Sequence, residues 1–121
     1  MSTRTALGRL AESAVADYLV AAGYDVLARN LRLGALELDV VARRGPLVVV
    51  VEVRTRRKGS MQRAFESVTY TKRLRLKRAV RRLWREQLVK MRDVQRVRID
   101  AAAVTFEDGQ TKVEYVEGAI E

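Results

Sequence analysis

The hydrophobic residues of this chain follow two spacings, one typical of helices and one typical of strands. Apolar residues recur at helical spacing over residues 5–22 and 71–89, which predicts two amphipathic helices. Thr5 and Thr71 stand where a hydroxyl group caps a helix, and Gly23 marks the end of the first one. The buried stripe predicted for the second helix consists of Leu76, Ala79, Val80, Leu83 and Trp84.

Between the two predicted helices the spacing changes to that of strands. Residues 36–42 and 47–56 are rich in apolar and β-branched side chains and flank a turn at Gly45-Pro46, which predicts a β-hairpin. The unbroken apolar run over 47–51 is typical of a strand covered on both faces. Further predicted elements are a strand at 24–28, a helical turn at 64–68, a strand at 94–106 and an edge strand at 111–116.

This order of elements, αβββαβ followed by the edge strand, predicts an α/β fold with a mixed sheet flanked by helices. We find no repeat, low-complexity segment or linker, so residues 1–121 are expected to form a single domain.

Two acidic residues of the hairpin are expected to face each other. With the turn centred on Gly45-Pro46, Asp39 lies opposite Glu52, and Glu37 lies opposite Arg54. Facing side chains on antiparallel strands have Cβ atoms roughly 4.5–5.5 Å apart, and like charges so placed destabilise the pair. Neighbouring valines exclude water and increase that cost, whereas a divalent cation between the carboxylates removes it. The alternative is a solvated strand face with a Glu37–Arg54 pair, which the apolar run argues against.

Composition excludes several kinds of chemistry. The chain has no cysteine and no histidine, which excludes disulfides, zinc–thiolate sites and Ser–His or Cys–His catalysis. Catalysis would therefore depend on carboxylates, amines, guanidinium groups and a metal. The absence of cysteine, of a signal peptide and of a membrane span predicts a cytoplasmic protein that does not insert in a membrane.

The formal net charge of +9 predicts a polyanionic partner, with nucleic acid favoured over an anionic membrane. The second predicted helix carries arginines on one side, at Arg75, Arg78, Arg81, Arg82 and Arg85. A second basic group, Arg56, Arg57 and Lys58, follows the hairpin and is either a plain connector or a phosphate clamp. A run of charges is usually only a solvated face, but so many arginines on one side favour phosphate binding. Trp84 is expected to be core rather than a base-stacking platform, and Asp100 a structural partner of an arginine.

An acid on one strand followed by Glu-x-Lys on the next is the signature of the PD-(D/E)xK nuclease superfamily, and Asp39 with Glu52-Val53-Arg54 resembles it. More narrowly, the chain resembles the YraN family of small endonuclease-like bacterial proteins. The matching motifs are Gly8-x-x-Ala11-Glu12, Gly23-Tyr24, Arg29-Asn30, Glu37-x-Asp39, Val51-Glu52-Val53-Arg54-Thr55-Arg56, Lys72 and Val97-Arg98-Ile99-Asp100. The resemblance implies the restriction-endonuclease-like fold.

The resemblance also implies roles for individual residues. Asp39, Glu52 and the carbonyl of Val53 would hold Mg²⁺ or Mn²⁺. The chain departs from the family pattern at Leu36, where a glycine is usual, and at Arg54, which replaces the superfamily lysine. Arginine keeps its proton and cannot act as a base, although it can bind the scissile phosphate. The two residues expected to support the site are Lys72, from the following helix, and Glu12, from the first helix.

The function implied is that of a metal-dependent endonuclease that hydrolyses DNA, with branched DNA suggested by a likeness to junction resolvases. Symmetrical cleavage of two strands would call for a homodimer. The rival is a non-catalytic nucleic-acid-binding module that kept the fold and lost turnover with the lysine. A third class is a peripheral membrane or protein-interaction domain that uses the arginine-rich helix.

Overall fold

The computed structural model describes residues 5–56 and 69–121. These ranges contain two α-helices, α1 (Ala6–Ala21) and α2 (Tyr70–Glu86), and a 3₁₀ turn at Leu88–Lys90. Their strands are β1 (Asp25–Leu33), β2 (Leu36–Arg44), β3 (Leu47–Arg56), β4 (Arg96–Glu107) and β5 (Gln110–Ile120). The predicted helical turn at 64–68 lies outside the described residues.

The strands form one sheet in the order β1-β2-β3-β4-β5. Neighbours are antiparallel except for β3 and β4, which run parallel. A parallel pair needs a long crossover, and the connection between β3 and β4 contains α2. The predicted αβββαβ order and the mixed sheet of the restriction-endonuclease-like fold are confirmed, with β5 as the predicted edge strand.

Each face of the sheet is covered by one helix. Val48 and Val50 of β3 pack in the cluster that includes Leu83 of α2. Val49 and Val51 pack in the cluster of α1, which is built from Ala11, Val15 and Leu19. The apolar run of β3 is therefore buried on both faces, as its unbroken hydrophobicity predicted. The acidic end of this strand lies on the side of α2, because Glu52 continues the alternation of Val48 and Val50.

The predicted start of α1 is confirmed and that of α2 is wrong. The hydroxyl of Thr5 accepts a hydrogen bond from the N–H of Gly8 at 3.0 Å. Helix α2 is capped by Thr69 instead of Thr71, because the Thr69 hydroxyl reaches the N–H of Lys72 at 3.1 Å. That bond joins residues three apart, the spacing of an N-cap, and Thr71 then falls within the first turn.

A buried carboxylate fastens β5 to β4. The pairing shifts register between Ile99 and Ala101, so Asp100 lies at an irregularity of the ladder. Asp100 is fully buried and accepts hydrogen bonds from Arg98 Nε at 2.7 Å and Nη2 at 2.9 Å, from the Tyr115 hydroxyl at 2.5 Å and from the Gly118 N–H at 2.8 Å. The carboxylate raises the pKa of Arg98, and burial together with Asp100 raises that of Tyr115. The prediction that Asp100 is a structural partner of an arginine is confirmed.

Candidate functional site

The acid pair lies where the β2–β3 ladder ends. The pairing runs from Arg44 with Leu47 to Val40 with Val51, which is the predicted register about Gly45-Pro46. Asp39 and Glu52 are the next residues in that register. At this point the N–H of Val53 donates a hydrogen bond to Asp39 Oδ2 at 2.8 Å. A side-chain carboxylate thus accepts from the backbone where the ladder stops, and this bond fixes the orientation of Asp39.

Both carboxylates are buried and open onto one cavity. Asp39 is 7% exposed and Glu52 is 6% exposed. The cavity, which we call the acid pocket, has a volume of about 460 Å³ and lies between the ends of β2 and β3 and the first turns of α2. Its lining is Leu36, Glu37, Asp39, Glu52, Thr69, Thr71, Lys72, Arg75, Leu76 and Ala79.

The electrostatics of the pocket centre on Glu52. Burial raises the pKa of Glu52, and the neighbouring charge of Asp39 raises it further. The ammonium group of Lys72 forms an ion pair with Glu52 Oε1 and, like the charge of Arg54, partly offsets this effect. Protonation of Glu52 is still favoured relative to an ordinary glutamate, so its ionised form is held in the fold at a cost in free energy.

Of the five residues predicted to be catalytic, the structure brings three together. Asp39, Glu52 and Lys72 all line the acid pocket. Arg54 lies on β3 close enough to lower the pKa of Glu52, but it is not among the described residues that line the pocket. Glu12 is buried on α1, which packs on the opposite face of the sheet from α2. The catalytic roles of all five residues stay predictions.

The residues predicted to bind nucleic acid are more scattered. Arg56 pairs with Glu114 of β5 at 3.3 Å, away from the acid pocket lining. Arg57 and Lys58 lie outside the described residues. The five α2 arginines predicted to bind phosphate are all exposed: Arg75, Arg78, Arg81, Arg82 and Arg85. Arg75 belongs to this exposed group and also lines the acid pocket.

The position of Arg82 depends on a glycine in the β1–β2 turn. A Cβ atom at Gly34 would lie 2.7 Å from Arg82 Nη1, and Gly34 has a φ of +65°. The absence of a side chain at Gly34 therefore lets the guanidinium lie across the turn. Arg82 Nε also donates to Glu86 Oε1 at 2.9 Å, so the guanidinium is bonded to its own helix where it lies against the turn.

Three polar residues of the pocket were given no role in the site by sequence analysis: Glu37, Thr69 and Thr71. The pattern did place Glu37 on the face of Asp39, because side chains two apart on a strand share a face. The two threonines enter the pocket because α2 begins at Tyr70, which the sequence pattern placed later.

The donor set suits a hard, well-hydrated cation. Among residues 5–56 and 69–121, no group of three or more Asp, Glu, His or Cys side chains gathers as a metal site. The pair Asp39 and Glu52 offers two carboxylates, and Mg²⁺ commonly binds proteins through one or two carboxylates while keeping several waters. The residues present therefore fit Mg²⁺ or Mn²⁺ bound mainly by water and substrate oxygens.

Neither described helix combines the length and the apolar character that a bilayer crossing requires.

Sequence comparison with known proteins assigns the chain to a family. A model described as "Uncharacterised protein family UPF0102" matches residues 11–104. A UPF0102 protein of Sorangium cellulosum is 50% identical over 117 residues, which cover 96% of this chain and 81% of that protein. A UPF0102 protein of Acidothermus cellulolyticus is 40% identical over 98% of this chain and 96% of its own length. The matched segment contains both members of the acid pair and Lys72, and the chain belongs to the UPF0102 family, also called the YraN family.

Proposed function

We propose that this protein is a metal-dependent nuclease that hydrolyses phosphodiester bonds in DNA. The observation that carries the proposal is the burial of Asp39 and Glu52 side by side in an open pocket, with Lys72 beside them. Burial and mutual repulsion make this pair costly for a protein that has no use for it. A divalent cation bound between the two carboxylates would offset this cost, since it replaces their repulsion with two favourable contacts.

The residues of the pocket would divide the work as follows. Asp39 and Glu52 would hold Mg²⁺ or Mn²⁺, and the Val53 carbonyl is the third expected ligand. A bound cation would polarise a phosphoryl oxygen and lower the pKa of a coordinated water. The bond from the Val53 N–H keeps Asp39 oriented before a metal arrives. Arg75, at the pocket wall, would bind the phosphate of the substrate.

Lys72 is the best candidate for the lysine that the Glu-x-Lys position lacks. Its ammonium group contacts Glu52, and its backbone is fixed by the Thr69 cap at the first turn of α2. Unlike arginine, lysine can give up a proton when its surroundings favour the neutral amine. Lys72 would therefore position the attacking water or stabilise the charged phosphate, while Arg54 would contribute charge alone.

A second function is favoured by Arg54 itself. A guanidinium group keeps its proton at any pH in which the protein folds, so it cannot replace the lysine as a base. If Lys72 does not do so either, the arginines of α2 still provide a surface for phosphates. The protein would then be a nucleic-acid-binding module without turnover. In either case we place it in the cytoplasm, and a homodimer is the expected form if it cuts branched DNA symmetrically.

The test is cleavage of labelled single-stranded, duplex, forked and four-way-junction DNA, each with Mn²⁺, with Mg²⁺ and with EDTA. We expect cleavage only with a metal, and its loss in Asp39→Ala and Glu52→Gln. Glu86→Gln is the matched control, because Glu86 is an exposed glutamate in an ion pair on α2. Cleavage that survives in both pocket variants would be a contaminant and would contradict the proposal. Binding without metal-dependent cleavage would favour the second function.

The same assay separates Lys72 from Arg54 as the residue that takes over from the superfamily lysine. Lys72→Ala should reduce cleavage about 100-fold, within the range typical of a lost general base. Arg54→Lys should preserve or raise activity, because it restores the superfamily residue. If Lys72→Ala has no effect and Arg54→Ala abolishes cleavage, Lys72 does not have the role given to it here.

A further inference from the structure

A second cavity lies next to the acid pocket on the side of α2. It has a volume of about 730 Å³, and Leu36 lines both cavities, so the two share a wall. Its lining includes Trp84, which is half-buried, with Val80 and Val97. Four arginines of α2 complete the lining: Arg78, Arg81, Arg82 and Arg85. We call this cavity the Trp84 groove.

The chemistry of the groove specifies an unusual ligand. Its apolar residues include a flat indole ring, while its remaining residues are guanidinium groups, and all four of these are exposed. An apolar ligand would offer no counter-charge to the arginines, of which Arg82 already pairs with Glu86, and a simple polyanion would offer no stacking surface to the indole ring. A ligand that satisfies both sets must carry flat aromatic groups and negative charges at close intervals. A nucleic acid strand with unpaired bases has this combination, since each base can stack on an aromatic ring while phosphates meet arginines.

We propose that the Trp84 groove binds an unpaired nucleotide of single-stranded nucleic acid, with the base against Trp84 and the backbone phosphates on the arginines of α2. The proposal deepens the proposed nuclease function and rests on it, because the groove and the acid pocket are neighbours that share Leu36 and the helix α2. A paired base is stacked within its duplex and cannot enter a groove without leaving that stack. The substrate class is therefore single-stranded DNA or RNA, including flaps and frayed ends. The sequence predicted Trp84 to be core rather than a stacking platform; the structure packs it against the core cluster but leaves it half-buried, and the proposal gives its remaining surface a binding role.

The sequence provides its own probe, because Trp84 is the only tryptophan among the 121 residues. The full-length protein is titrated with a 12-nucleotide oligothymidylate in EDTA, which prevents metal-dependent cleavage, and the tryptophan emission is recorded. We expect saturable quenching by the single strand and little quenching by a blunt duplex of the same length. A poly-glutamate of matched charge and anionic phosphatidylserine vesicles serve as the other polyanions. Equal quenching by any of these three would overturn the proposal.

Variants test the indole ring and the arginines separately, with binding measured by anisotropy of a labelled oligonucleotide. Trp84→Leu should weaken binding roughly 10-fold, in line with the loss of one base–aromatic stack. Trp84→Phe keeps an aromatic surface, so it should bind within about 3-fold of wild type, and circular dichroism shows whether both variants fold. Unchanged binding by folded Trp84→Leu protein would refute the stacking role. If only the Phe variant folds, binding weakened by more than about 10-fold in it would refute that role.

For the arginines, the readout is the dependence of binding on salt. Arg81→Ala and Arg85→Ala should each lower the slope of log affinity against log salt by about 0.7, the value for one phosphate contact on a single strand. Arg92→Ala is the matched control, because Arg92 lies after the 3₁₀ turn and outside the groove lining, and its side chain is 95% exposed. Slopes that fall equally in all three variants would indicate net charge alone and would overturn the assignment to the groove.

The binding experiments and the cleavage experiments can succeed or fail independently of each other. Quenching in EDTA needs no turnover and should persist in Asp39→Ala. Quenching without any metal-dependent cleavage would support nucleotide binding in the Trp84 groove and contradict the proposed nuclease activity. Metal-dependent cleavage by a protein whose tryptophan emission does not respond to single strands would support the nuclease activity and overturn the proposed binding in the Trp84 groove.

Discussion

Substitution of Glu52 by glutamine should stabilise the metal-free protein while it abolishes metal binding. The side chain keeps its shape and loses its charge. Burial and the charge of Asp39 raise the pKa of Glu52, which means that the fold favours the neutral form over the ionised one. Glutamine imitates the neutral form. Most substitutions at a buried polar position destabilise a protein, so a gain in stability would be specific to this reasoning.

The magnitude follows from the charges around Glu52. If about 5 Å, the usual Cβ spacing of facing strand residues, is taken as the separation of the two carboxylates, their repulsion is about 3 kcal/mol at an effective dielectric constant near 20. The ion pair with Lys72 offsets about 1 kcal/mol of this, because Lys72 is 43% exposed and its ammonium is partly screened by water. Arg54 offsets a further part. We therefore expect Glu52→Gln to raise the free energy of unfolding by about 1–2 kcal/mol at pH 7.

The pH dependence of the free energy of unfolding gives a second test of the Glu52 carboxylate. The unfolded state releases its proton near the ordinary glutamate pKa of 4.5, and the folded state does so at a higher pH. Between those values the folded state binds more protons, so wild-type stability falls as the pH rises. The advantage of Glu52→Gln should therefore vanish below pH 4.5 and be complete above the raised pKa of Glu52.

The assay is urea unfolding of both proteins in EDTA across this pH range, followed by circular dichroism. Glu86→Gln serves as the control and should change stability by less than about 0.5 kcal/mol, because Glu86 is exposed. Added Mn²⁺ should reverse the order, since it stabilises wild type by binding the folded state and has no such effect on the variant. If Glu52→Gln is less stable than wild type in EDTA at pH 7, the reasoning about the acid pair is wrong.

Three further predictions concern other groups. Asp100→Ala should lower the free energy of unfolding by about 3–5 kcal/mol in urea, because it removes the buried acceptor of Arg98, Tyr115 and the Gly118 N–H and leaves Arg98 only its exposed partner Glu117 and the Tyr24 hydroxyl. Glu117→Gln removes that exposed partner alone, at a 65% exposed side chain, and should cost less than about 0.5 kcal/mol. Thr69→Ala should cost about 1 kcal/mol in the same assay and Thr71→Ala much less, and equal costs would contradict the observed cap. Binding of Mn²⁺, measured by calorimetry, should weaken as the pH falls through the raised pKa of Glu52; a loss confined to pH values below the ordinary glutamate pKa of 4.5 would contradict the burial argument.

The sequence predicted the acid pair because two local rules determine it. A turn at Gly45-Pro46 sets the register of the hairpin, and the alternation of strand side chains then places Asp39 and Glu52 on one face. These rules could not reveal that the ladder stops at Val40 and Val51. The bond from the Val53 N–H to Asp39 replaces ladder pairing there, and whether a side chain or a backbone carbonyl accepts that N–H is decided by three-dimensional packing.

Local sequence patterns could predict neither the first residue of α2 nor the Trp84 groove, for different reasons. Both Thr69 and Thr71 can cap a helix, and the choice between them depends on where the first turn meets the sheet. Trp84 lies within the apolar stripe, so its spacing predicts core, and its contacts with the core cluster agree. Trp84 is only half-buried, and the cavity beside it arises because the fold brings Leu36 and Val97, from distant parts of the sequence, into one lining with Trp84.

A single helix connects the two proposed sites and sets the length of the strand that could join them. Lys72 lies at the first turn of α2 and Trp84 near its end, about 18 Å apart along the axis at a rise of about 1.5 Å per residue. A nucleic acid strand advances about 3.4 Å per stacked nucleotide, so this separation corresponds to roughly five nucleotides. A strand held at Trp84 would therefore present to Asp39 and Glu52 a phosphate several nucleotides from the bound base. Because Arg75, Arg78, Arg81 and Arg82 lie between these points on the same helix, and Arg85 directly follows Trp84, part of the basic charge of the chain would follow the path of the substrate.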